Sequence, residues 1–208
     1  MISRRRVPGL LALALCVIGV SAVMASSAFA ATPVFKSGSG KFPVYNTDKS
    51  GLSELKTANH ATIECTASTS TGQITSTTTV AKVVVAYTGC SQKKGEIGCK
   101  SGTVAGEIVT KNLKGTLTGT EAEPTEKLEP ESGTEFVKIK CGTVNVLVTG
   151  TVTGKILPVK KLEHTGTLTF SNAGGLIAFE EAATLTSKDE LAFFKNEAHT
   201  ESETLEVS

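Results

Sequence analysis

The chain has 208 residues, of which 21 are Lys or Arg and 20 are Asp or Glu, so the formal net charge is only +1. That balance gives no field for nucleic acid or an anionic lipid surface. With no Trp and only two Tyr, the composition also offers few of the aromatic platforms that sugar-binding faces use.

The first thirty residues have the three parts of a secretion signal in order. Arg4, Arg5 and Arg6 form a positive start, an apolar core runs from Val7 to about Met24, and Ala28-Phe29-Ala30 is an A-x-A cleavage site. The apolar core approaches the roughly 20 residues of a membrane span, but the cleavage site just beyond it decides for removal. Pro8 interrupts the apolar stretch, which favours the general secretory route over twin-arginine export. Cys16 follows Leu15 rather than a small residue, so no lipid anchor is read. The expected product begins at Ala31, carries no membrane span, and is secreted or associated with the cell envelope. It contains 18 Lys, no Arg, and 20 Asp plus Glu. Without the bidentate guanidinium fork that phosphate sites favour, a phosphate-handling enzyme is disfavoured.

The 178 residues that remain divide into a lead-in segment, 31–59, with a flexible stretch at Ser37 to Gly40, and one domain, 60–208. Thirty of them are Thr, a composition suited to strands rather than helices. Period-two alternation predicts strand after strand. Residues 63–67 alternate, and Ala81, Val83, Val85 and Tyr87 are expected on one face. Val104, Gly106 and Ile108 alternate, as do Leu113, Gly115 and Leu117. Thr120 to Gly133, rich in Glu and carrying Pro124 and Pro130, reads as a solvated loop. Val137, Ile139 and Cys141 share a face.

In 144–157 all the even positions are Val, Gly or Ile, which predicts one long strand bent at its glycines rather than a hairpin at Thr149-Gly150. A turn at 158–161 leads to alternation over 162–170, then to strands near 176–179 and 200–207. Only 189–195 reads as a short helix. The fold class is therefore all-β, a single antiparallel β-sandwich or β-barrel.

Cys65, Cys90, Cys99 and Cys141 remain after export, an even number in an oxidising compartment, without the tight spacing of a zinc site. Cys65 and Cys141 each share a strand face with apolar residues, and Cys90 and Cys99 bracket a short loop. The expected bridges are Cys65–Cys141 and Cys90–Cys99, all four residues being structural.

Several phrases of the chain also occur together elsewhere: Thr71-Gly72-Gln73-Ile74-Thr75, Tyr87-Thr88-Gly89-Cys90, Gly106-Glu107-Ile108-Val109-Thr110, Phe136 to Gly142, and Gly154 to Val159. In their order and cysteine contexts, residues 60–208 resemble uncharacterised secreted proteins of soil actinobacteria. The resemblance implies an exported protein and carries over no assigned activity or functional residue.

Catalytic signatures are missing from the sequence. His60, His164 and His199 are scattered, and His164, on an apolar strand face, reads as a structural histidine with one hydrogen-bond partner. Glu180 and Glu181, adjacent in a strand, would point to opposite faces and cannot flank one glycosidic bond. Asp48 and Asp189 are the only aspartates, too few for an acidic calcium loop. No cofactor, metal or nucleic-acid partner is implied. The expectation is a non-catalytic structural or interaction protein of unknown role, its partner left open between a cell-surface component and a small apolar ligand. The alternative is a barrel holding a small apolar ligand, which would need a cavity of roughly 300 Å³ or more. An enzyme of unrecognised type is the third reading.

Overall fold

A computed structural model describes residues 31–92 and 96–208. The expected export signal, residues 1–30 with Cys16, lies outside the described residues. Within them the regular elements are all strands: β1 (Phe35–Ser37), β2 (Val44–Ser50), β3 (Ser53–Thr57), β4 (Ile63–Cys65), β5 (Ala67–Ile74), β6 (Thr79–Thr88), β7 (Ser91–Gln92), β8 (Ile97–Lys100), β9 (Ile108–Val109), β10 (Leu113–Gly119), β11 (Pro124–Pro130), β12 (Glu135–Cys141), β13 (Val144–Gly150), β14 (Val152–Leu157), β15 (Thr165–Ala178), β16 (Glu181–Phe194) and β17 (Leu205–Val207). The all-β expectation holds.

Four pairs of these strands are single long runs of chain with a brief interruption: β2 with β3, β4 with β5, β6 with β7, and β13 with β14. Together with β15 and β16, each 14 residues long, they form a common antiparallel wall. Within it β16 pairs with both β2 and β3, and β15 with both β14 and β13. The wall closes in two places. At one level β14–β11–β10–β6 completes the ring, and at the other β13–β12–β8–β7 does. The result is an eight-stranded barrel of two storeys, upper and lower. Closure leaves few free strand edges, the usual hazard of a large antiparallel sheet. The chain ends pair with each other: β1 lies on β17, and Phe35 is fully buried there. The 31–59 segment thus contributes three strands rather than standing apart.

The bent strand at 144–157 is present. Both halves follow β15, and Val146, Val148, Val152 and Ile156 are all buried on one face. Other expectations are corrected. Residues 120–133 hold β11, whose alternate residues Pro124, Glu126, Leu128 and Pro130 face inward. The prolines stand at its two ends, where a missing N–H does least harm. Residues 189–194 continue β16 and are not helical, because Asp189, Leu191 and Phe193 alternate inward. In β6 Val83, Val85 and Tyr87 share the inward face as expected, but an extra residue at Lys82 shifts the face so that Val80 rather than Ala81 joins them. Val104 lies outside any strand and is exposed.

The disulfide pairing is also corrected: the bridges are Cys65–Cys90 and Cys99–Cys141. All four cysteines are buried, as their strand faces predict, but the order of strands decides which of them pair. Adjacent strands β4, β7, β8 and β12 place Cys65, Cys90, Cys99 and Cys141 in one row across the sheet. At about 4.8 Å per strand, Cys65 and Cys141 stand roughly 14 Å apart, twice the reach of a bridge. Pairing the two middle cysteines would strand the outer two. The observed pairing joins immediate neighbours, with Cα atoms 4.0 and 4.1 Å apart, and leaves none over.

Candidate functional site

Inside the upper storey, apolar side chains give way to a buried polar cluster. β2 turns Asn46 and Asp48 inward, β11 contributes Glu126, β16 contributes Asp189, and β5 contributes Ser70. They border a cavity of about 40 Å³ that is otherwise walled by residues such as Leu113, Ile156 and Phe170. Ser70 donates a hydrogen bond to Asp48 Oδ2, and Ser187 donates to Asp189 Oδ1 at 2.8 Å. A belt of hydroxyls joins Ser50, Ser53, Ser68 and Ser187 at the interruption between β2 and β3. Asn46 Oδ1 and Asp48 Oδ1 find no partner among the described residues.

None of the residues lining this cavity is a Lys, Arg or His. Desolvation therefore works on the three acids opposed only by serine hydroxyls and the Ser70 backbone. Burial, with the Asp48 and Asp189 charges behind it, pushes Glu126 up to about 7. Burial and the Asp48 charge push Asp189 up to about 6. Asp48 is raised by burial, with the Ser70 hydrogen bond opposing. Burial likewise pushes the Tyr87 hydroxyl above its ordinary range. These groups hold protons tightly, but among the described residues no cluster of His, Cys, Asp and Glu could hold a metal ion. A second cavity, about 50 Å³, lies in the lower storey between Ile63, Phe136, Ile139 and Leu185.

The remaining candidates are scattered. His164 is exposed and precedes β15 rather than lying on an apolar strand face as expected; its Nδ1 is 2.9 Å from the Glu203 carbonyl oxygen, its one hydrogen-bond partner. Glu180 sits in the turn between β15 and β16, and Glu181 opens β16, so the two do not share a strand. Glu181 instead takes hydrogen bonds from the Asn59 backbone at 3.1 Å and side chain at 2.6 Å, and its Oε1 lies 2.8 Å from His60 Nδ1. The His60 hydrogen bond is foremost in holding Glu181 down to about 2. The His60 ring also stacks on Phe179, with centroids 4.2 Å apart and planes within 4°. This dyad locks two turns at the end of the lower storey. Among the described residues no hydroxyl or thiol bonds the other ring nitrogen of His60.

Sequence reasoning missed Glu126, Asn46 and the grouping of both aspartates. Their only signal was alternation with residues that are themselves polar, such as Thr47 and Lys127. Among the described residues no helix is long and apolar enough to cross a membrane. Comparison with protein-family models, with curated proteins and with solved structures finds no match.

Proposed function

We propose that this is an exported, non-catalytic structural or interaction protein of the extracellular space or cell envelope. The observation that carries the reading is the filled interior. Among the described residues the cavities lined by the core, about 40 and 50 Å³, accommodate water rather than an organic molecule. The alternative of an internally held apolar ligand needs roughly 300 Å³ or more, so the interior does not favour it. Two disulfides suit an oxidising compartment. The functional surface is then the outside of the barrel.

Native mass spectrometry of the protein secreted by its own host tests the reading. The expected species begins at Ala31, carries two disulfides and retains no small apolar molecule. A stoichiometric apolar ligand surviving purification would overturn it in favour of the ligand-holding barrel, and an intact Met1 would overturn export.

A further inference from the structure

On the outside of the upper storey, aromatic and polar side chains gather in a way that composition does not suggest. β2 points Val44, Asn46 and Asp48 inward, which turns Tyr45 outward. Tyr45 stands in register with Phe194 on one side and Gln73 on the other, so these three form one outer row. The chain beyond β16 folds back and sets the His199 ring 5.0 Å from Phe194, tilted by 58°. Beside the row is a surface pocket of about 280 Å³ lined by Tyr45, Gln73, Lys82, Glu197 and His199, with Thr71 and Gly72. That is near the lower end of the roughly 300–1,000 Å³ typical of ligand pockets.

Two of the lining residues are held in the left-handed backbone region without being glycine. Lys82 has φ +54° and is the extra residue of a bulge, since Gln73 pairs with Ala81 while Thr71 pairs with Val84. His199 also has φ +54°, in a turn fixed by Asn196. Backbone held in this region clusters at ligand sites, and bulges re-aim side chains. Both heads are thereby directed at the same pocket. Among the described residues, the side chains of Tyr45, Gln73, Lys82 and Glu197 make no hydrogen bond to protein. Lys82 and Glu197 border one pocket without forming an ion pair.

We propose that this pocket binds a pyranose unit of an oligosaccharide, with Tyr45 as the stacking surface and Gln73, Lys82, Glu197 and His199 as polar contacts. The chemistry selects that class. A sugar presents an apolar C–H face to an aromatic ring and a rim of hydroxyls, each both donor and acceptor. The pocket answers with an amphipathic ring and a mixed rim: ammonium donors, carboxylate acceptors, and an amide offering both. An apolar ligand would leave these heads unsatisfied, and a phosphate would meet Glu197. The proposal deepens the interaction-protein reading and rests on it.

Titration of the isotopically labelled secreted protein with chitotriose, cellotriose and maltotriose, followed by NMR, tests the assignment. At least one of the three should shift the amides of Tyr45, Gln73, Lys82, Glu197 and His199, with the sugar recovered intact. Tyr45→Ala should weaken binding about tenfold or more, as loss of an aromatic anchor does. Gln73→Ala, which leaves the aromatic row in place, should weaken it severalfold and serves if Tyr45→Ala melts early. No shift with any of the three sugars, shifts elsewhere on the barrel, or unchanged affinity in both variants would overturn the pocket. Cleavage of a bound sugar would instead overturn the non-catalytic reading and leave the pocket standing.

Discussion

Lys82 is an L-residue in a backbone conformation that a glycine adopts at little steric cost, in the middle of a strand. Lys82→Gly should therefore raise stability by about 0.5–1 kcal/mol, the steric relief exceeding the entropic cost of glycine. A thermal melt reads this directly, and a lower melting temperature would mean that the lysine stem packs usefully against its neighbours. The same residue shows why Ala81, expected to face inward with Val83, Val85 and Tyr87, does not. Uninterrupted alternation would bury Ala81 with Val83, but one added residue moves Val80 inward instead. A bulge has no composition of its own, so nothing in the sequence marked it. Glu126 escaped notice for a related reason. In a stretch with Glu at 121, 123, 126, 129 and 131, one inward carboxylate is indistinguishable from four outward ones.

The strand joints carry the architecture at the next scale. β13 and β14 cross the middle of β15 at Gly150 and Gly175, with φ of +103° and +105°. A Cβ on Gly150 would overlap the Gly175 carbonyl oxygen, and one on Gly175 would overlap that of Thr151. Thr151 N donates to Gly175 O at 3.0 Å, which ties the joint. Gly150→Ala should cost on the order of 2 kcal/mol, by strain and lost approach. Gly102→Ala, where an added Cβ meets nothing within 4 Å, is the control and should change little. Equal urea midpoints for the two variants would contradict this account of the bend. The bend was legible because apolar residues stayed in phase through it while glycines fell at the corner. β11 and the end of β16 were not, because each puts a carboxylate where the pattern wants an apolar residue. Glu126 and Asp189 broke the two alternations that would have revealed their own strands. The candidate pocket was still less legible, since Tyr45, Gln73, Lys82 and His199 come from four separate stretches of chain.

The whole barrel is braced at one row of cysteines and loaded at another level with buried acids. The bridges span 25 and 42 residues, for which chain entropy gives about 3.5 and 4 kcal/mol. Replacing Cys65 with Cys90, or Cys99 with Cys141, by alanine pairs should lower stability by similar amounts. A gap above about 2 kcal/mol in denaturant melts would show that chain entropy is not the governing effect. The acids set the pH dependence. Glu126 at about 7 and Asp189 at about 6 bind protons more tightly in the folded chain than when unfolded, where 4.5 and 3.8 are ordinary. Asp48 is shifted the same way. Across the window from about pH 4 to 7 the folded state holds more protons, so stability falls as pH rises. Their contribution is complete below the unfolded values and is lost as pH passes through 6 and 7. Glu181, held at about 2, and Glu129 and Glu135, held down by lysine partners, act oppositely and lose their contribution only as pH falls below the ordinary carboxylate range. The two sets place the optimum near pH 5, and the urea midpoint should be higher at pH 5 than at pH 8. Glu126→Gln keeps the shape and removes the charge, so it should flatten this slope and melt later than the wild type at pH 8. A midpoint that rises from pH 5 to pH 8, or a variant with the wild-type slope, would show that the interior carboxyls do not govern how this barrel responds to pH.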